Sequence, residues 1–170
     1  KKGLDIEPVL HGGGQERDLR SGTFNAPSIV SFAAAASDAQ INRKARELMI
    51  RNLKQELIQT IKKNVPEIRV NGDFEKSLPG IISITFPKTD SEGLLLLLDA
   101  EGIACSTGSA CSAGVQRPSH VLMAMGLSED ETTSTLRFSL SHLNTINEIA
   151  RLGSVIASVV ARSKAASGKK

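Results

Sequence analysis

The stretch from residue 68 to 102 limits the folds open to this chain more than any other, because short β-branched runs give way there to an apolar helix pattern. "IRVNG" and "GIISITF" are bounded by Asn, Gly and Pro, which predicts two strands that neighbour one another in one sheet. "SEGLLLLLDAEG" then follows Thr89 and Glu92 at capping-box spacing, which predicts a helix apolar enough to be largely buried. A sheet covered by helices is the consequence.

The flanking segments extend that pattern. "LDIEPVL" alternates well enough for a short strand, ended by Gly12, Gly13 and Gly14. Asn25 caps an alanine-rich helix through Ala36, with Pro27 tolerated in its first turn. Ser37 and Gln40 start a second helix, whose apolar positions Ile41, Ala45, Leu48, Leu53, Leu57, Ile58 and Ile61 keep helical spacing until Asn64 and Pro66. "GIAC" reads as a short strand or its end, "RPSHVLMAMG" as a short helix, and Ser128 with Glu131 as the start of another. "STLRFSL" returns as a strand, and Thr145 with Glu148 caps a final amphipathic helix. The expected class is α/β, an α+β domain with a mixed or antiparallel sheet.

A chain of 170 residues can bury a real core, and with 3% aromatic residues, no Trp and no Tyr, that core must be aliphatic. The net charge of +3 is mild, and no basic stripe interleaves with aromatics, so nucleic-acid binding gains little support. The longest apolar run, Leu94–Leu98, is far too short to cross a bilayer, and the N-terminus lacks a secretion-signal pattern, which makes the cytoplasm the expected compartment. The chain opens "KKGLDIEPVL" and its first methionine is Met49, as expected of an excised or processed part of something longer.

"CSTGSACSAG" holds the only cysteines, Cys105 and Cys111. A thiol attacks as thiolate, and exposure beside loop-forming residues suits that role. Gly108 and Gly114 widen the backbone choices around Cys111, and no apolar periodicity runs through it, which favours a mobile nucleophile over a core thiol. Cys105 follows the apolar "GIA" and reads as a small core hydrophobe. No metal site is expected: the cysteines are not at knuckle spacing, and His11, His120 and His142 are scattered. A Cys–His pairing with His120 is the weaker competitor. Arg137 in "LRFS" either aims its planar fork into a cleft for a carboxylate or sits on a solvated sheet face, and pattern alone favours the latter. "GGGQERDLRSGT" offers backbone N–H groups and a hydroxyl of the kind that cradle phosphate, yet fits neither the P-loop nor the dinucleotide fingerprint.

Taken in order, "HGGGQERDLRSGTFN", "GIACSTGSACSAG", "RPSHVLMAMGLS" and "LRFSL" resemble the C-terminal half of cysteine desulfurases, pyridoxal-phosphate enzymes of the class V aminotransferase group, in the branch with a long mobile cysteine loop. The resemblance implies the C-terminal domain of the fold-type I transferases. It divides the chain into the end of the large cofactor domain (1–36), a linking helix (37–64), a small domain (65–163) with its cysteine loop at 104–117, and a flexible basic tail (164–170). It implies that Cys111 takes sulfur from L-cysteine as a persulfide, leaving alanine, that Arg137 holds the substrate α-carboxylate, and that Thr23 reaches the pyridoxal phosphate of a neighbouring subunit. The implied partners are a second copy in a homodimer and an iron–sulfur scaffold or other sulfur acceptor. Two departures stand out: Ser141 replaces the glycine usual after "RFSL", and no lysine here sits in the family's Ser-x-His-Lys context, so the Schiff-base lysine is expected upstream. A non-enzymatic sulfur-relay or docking module is the alternative reading.

Overall fold

The computed structural model describes residues 3, 6–107 and 118–168. The chain divides into two units, Lys1–Arg43 and Lys44–Lys170. Helix α1 (Ala26–Asn64) begins in the first and ends in the second.

In the first unit, Asn25 caps α1 as expected, its Oδ1 accepting the Ser28 N–H at 3.2 Å. The strand expected over "LDIEPVL" is absent at residues 6–10. A strand must pair its backbone groups, and among the described residues this unit offers no second strand. The expected break at Ser37 is also absent. Ala33–Ala36 are strong helix formers, no glycine or proline interrupts the sequence from Ser28 to Asn64, and α1 runs unbroken for 39 residues.

The second unit is built on a four-stranded sheet of β1 (Arg69–Asn71), β2 (Ile81–Thr85), β3 (Ser106–Thr107) and β4 (Thr135–Ser139), in the order β1-β2-β4-β3. Every pairing is antiparallel. Pairing begins just after "GIAC", at Ser106, rather than within it. Alternation along β2 and β4 buries Ile82, Ile84, Leu136 and Phe138 on one face. Against them pack Leu57 and Ile61 of α1, Leu94 and Leu98 of α2 (Ser91–Ala100), and Ile156 and Val159 of α5 (Ile146–Ser167). The core is aliphatic apart from Phe86 and Phe138.

Local capping follows the sequence with one shift. Thr145–Glu148 and Ser128–Glu131 both form full capping boxes, on α5 and on α4 (Glu129–Thr132). Helix α2 is capped by Asp90, whose Oδ2 accepts the Gly93 N–H at 2.8 Å. Thr89, expected in that role, is fully buried and donates its hydroxyl to the Phe86 carbonyl at 2.7 Å. Helix α3 (His120–Ala124) starts from Ser119. Helix α5 continues through Ser167, past the Lys164 at which a tail was expected, because Lys164 pairs with Glu67 and the Ser167 hydroxyl donates to the Lys88 carbonyl. Among the described residues no helix is long and apolar enough to cross a membrane.

Candidate functional site

The sheet face opposite the core carries the polar chemistry of the second unit. Asn71 pairs in register with Ser83, Ser83 with Arg137, and Arg137 with Ser106, so one transverse row takes a polar side chain from every strand. Cross-strand partners share a face, with Cβ atoms about 4.5–5.5 Å apart. Arg137 is exposed, between the buried Leu136 and Phe138. It lines a cavity of about 400 Å³ together with Asn71, Ser83 and Thr135 on the sheet and Leu122 and Met125 after the cysteine loop.

Lys54 of α1 closes one side of that cavity. It is only 2% exposed, yet its ammonium donates to Ser77 Oγ at 2.6 Å and to the Leu78 carbonyl at 3.3 Å. The ammonium also lies 5.0 Å from the centroid of the Phe74 ring, within cation–π range. Burial pushes its pKa below the ordinary lysine value, Arg51 adds to the fall, and Glu75 opposes it. Lys54 therefore ties the 74–78 turn to α1. Sequence reasoning missed it, although it stands with Leu57 and Ile61 on the buried face of α1, where a charged residue is the anomaly.

Cys111 lies outside the described residues, as do all of residues 108–117. Cys105 is partly buried against the core. Burial, with a smaller contribution from Asp99, pushes its thiol up to about 11. That suppresses the thiolate. His120, the weaker candidate partner for a thiol, is exposed at the first position of α3. Ser141 makes a turn of its own: its N–H donates to Asn144 Oδ1 at 2.8 Å, and its hydroxyl accepts the Leu143 N–H at 3.1 Å.

Thr23 belongs to the first unit, in an exposed loop ahead of α1. Arg20 Nη1 donates to the Thr23 carbonyl at 3.4 Å, and the Gly22 N–H donates to Gln15 Oε1 at 3.1 Å. Gly22 has φ +107°, which a side chain would strain. Glu16, Arg17 and Asp18 are all left-handed, so the loop reverses tightly between the glycines and Thr23. Thr23 and Arg137 are thus described in separate units.

Solved structures share this fold of an antiparallel sheet covered by helices. The chain superposes on a NifS-like protein with TM-score 0.80 at 33% identity, over 95% of this chain and 41% of that one. A NifS-like protein from Rickettsia africae ESF-5 gives TM-score 0.76 at 32% identity, over 92% and 40%. The chain belongs to the Aminotransferase class-V family, whose profile matches residues 7–152. It is 40% identical to an IscS-like cysteine desulfurase of Mycobacterium tuberculosis, over 98% of this chain and 42% of that protein. Cysteine desulfurase IscS 1 of Archaeoglobus fulgidus is 39% identical over 95% and 42%. The chain spans about two fifths of the length of these curated relatives.

The family depends on pyridoxal phosphate. A complete site for that cofactor needs a lysine amine free to bond its aldehyde carbon. Lys54, the buried lysine of the described residues, has its ammonium committed to Ser77 and Leu78. Among the described residues Thr23 carries an exposed hydroxyl of the kind a phosphate accepts from, and Lys54 is not available as the cofactor's amine.

Proposed function

We propose that this chain is the C-terminal part of a cysteine desulfurase, in which Cys111 accepts sulfur from L-cysteine. The observation that carries this reading is the match to proteins named cysteine desulfurase along 98% of the chain, with the cysteine motif and "LRFSL" in order. On this reading residues 1–36 end the cofactor domain, 37–64 link it to the small domain at 65–163, and the cysteine loop occupies 104–117. The cofactor would be held by a lysine elsewhere in the complete enzyme and would supply an electron sink.

This chain's own residues bind and accept. Arg137 holds the substrate α-carboxylate with its planar fork, and Thr23 would hold the cofactor phosphate of a second copy in a homodimer through its hydroxyl. The Cys111 thiolate forms a sulfur–sulfur bond to the substrate as the carbon–sulfur bond breaks. The bonding pair stays with carbon and a proton completes alanine. L-cysteine and the Cys111 thiol thereby become L-alanine and a Cys111 persulfide, with every atom accounted for. The persulfide passes in the cytoplasm to an iron–sulfur scaffold or thiolation acceptor. The test is assembly with a segment carrying the Schiff-base lysine and cofactor: alanine formed from L-cysteine, and lost in Cys111→Ser, supports the reading. Assembly without alanine formation would contradict it.

A further inference from the structure

The polar row across the sheet is tied into a hydrogen-bond network. A backbone carbonyl only accepts, so the Thr135 hydroxyl spends its proton on the Glu131 carbonyl at 2.6 Å. Thr85 Oγ1 lies 2.8 Å from Thr135 Oγ1 and 3.3 Å from Asn71 Oδ1, either of which can take its proton, and in both cases it accepts from the Asn71 amide nitrogen at 2.9 Å. The same Asn71 nitrogen also donates to Ser83 Oγ at 3.2 Å. Ser83 therefore accepts from Asn71, and among the described residues its own proton meets no acceptor. Ser106, on the other side of Arg137, differs: its hydroxyl donates to the Thr107 carbonyl at 3.0 Å.

Ser83 and Arg137 are register partners and both line the cavity. Arg137 carries donors only, so the pair presents N–H and O–H groups, and the other members of the row, Asn71 and Ser106, bring only neutral oxygens that could accept them. The one carboxylate among the lining residues is Asp73, whose Oδ1 already accepts the N–H groups of Glu75 and Lys76 and whose Oδ2 lies 4.0 Å from Lys76 Nζ. Ile81, Leu122 and Met125 make the neighbouring wall apolar.

We propose that Ser83, oriented by Asn71, is a second carboxylate-binding residue: its hydroxyl donates to one carboxylate oxygen of a small α-amino acid while the Arg137 guanidinium takes the other, and the ligand's aliphatic part lies on the Ile81–Met125 wall. This rests on the reading of Arg137 as the carboxylate holder. It adds that the cavity is a site in its own right, preset by the sheet register.

The test uses the whole 170-residue chain labelled with nitrogen-15 and titrated with L-alanine, following the Arg137 Nε–Hε and Ser83 amide resonances. Both resonances shift saturably, and ethylamine, which lacks the carboxylate, moves neither. Ser83→Ala weakens the apparent affinity about tenfold, while Ser83→Thr, which keeps the hydroxyl, stays within about twofold. Asn71→Ala falls between them. If Ser83→Ala titrates like the unmodified chain while Arg137→Ala no longer responds, the inference fails and the Arg137 reading stands. If Arg137→Ala leaves the Ser83 shift unchanged, or the unmodified chain shows no saturable shift, both fall.

Discussion

Cys105 and Cys111 share one small-residue stretch, of which Cys105 lies among the described residues. The Cys105 thiol is raised to about 11 by burial, with Asp99 adding to it, so at pH 8 only about one molecule in a thousand carries thiolate there. An unperturbed loop thiol is ionised far more often at that pH, and the greater intrinsic reactivity of a basic thiolate recovers only part of the deficit. Iodoacetamide should label Cys111 at least tenfold faster than Cys105 in the folded chain, as read by peptide mass spectrometry. Equal rates would remove the distinction between them. Arg137 makes the second prediction at this scale. In an assembled, alanine-forming enzyme, Arg137→Ala should raise the L-cysteine concentration for half-maximal rate by about one to two orders of magnitude, the worth of a charge-assisted bidentate contact. Arg137→Lys should recover only part, because an ammonium cannot reproduce the fork. Unchanged kinetics in Arg137→Ala would return the side chain to the role of a solvated surface residue.

At the scale of elements, close approaches decide what the sheet tolerates. A Cβ on Gly80 would lie 2.5 Å from the Leu140 carbonyl oxygen, at the point where the Leu140 N–H donates to the Gly80 carbonyl at 2.7 Å. Backbone cannot yield there without parting β2 from β4. Gly80→Ala should therefore cost about 1–3 kcal/mol in urea unfolding, and a variant as stable as the parent chain would contradict the contact. Helix α5 supplies a pH prediction. The Thr145 N–H donated to Glu148, with help from the Thr145 hydroxyl and Asn144, holds the Glu148 carboxyl below the ordinary range. A depressed carboxyl contributes stability above its unfolded pKa of about 4.3 and loses it as pH falls through the lower folded value. The urea midpoint should thus drop more steeply below about pH 4.3 in the parent chain than in Glu148→Gln. Parallel curves would show that the box adds nothing.

These elements also show what the sequence makes legible. The strand pattern of "GIISITF" and "STLRFSL" and both capping boxes are local properties, and they appear where the periodicity places them. The misses are cases where a non-local demand prevailed. Thr89 satisfies a cap spacing but is buried, so its hydroxyl closes on Phe86 and Asp90 takes the cap. Ser37 also satisfies one, but the alanines before it already carry the helix through. Lys54 reads as an interruption of an apolar face until the 74–78 turn folds over it, and the register that sets Ser83 beside Arg137 exists only once four strands pair.

At the scale of the whole molecule, the chain carries a folded sheet-and-helix unit and a separate unit with the Thr23 loop, yet spans about two fifths of its curated relatives. On the proposed reading, such a portion would bring Cys111 as acceptor thiol, Arg137 for the carboxylate and Thr23 for the phosphate, and the lysine would come from elsewhere. Division of labour of this kind makes the location of the transferred sulfur the decisive quantity. After assembly with a lysine-bearing segment and pyridoxal phosphate, L-cysteine is added, free thiols and persulfides are trapped by alkylation, and the peptides are read by mass spectrometry. The account predicts one extra sulfur atom on Cys111, formed in step with alanine, unaffected by Cys105→Ser and abolished by Cys111→Ser. Extra sulfur on Cys105, or alanine formed at the full rate in Cys111→Ser, would contradict it.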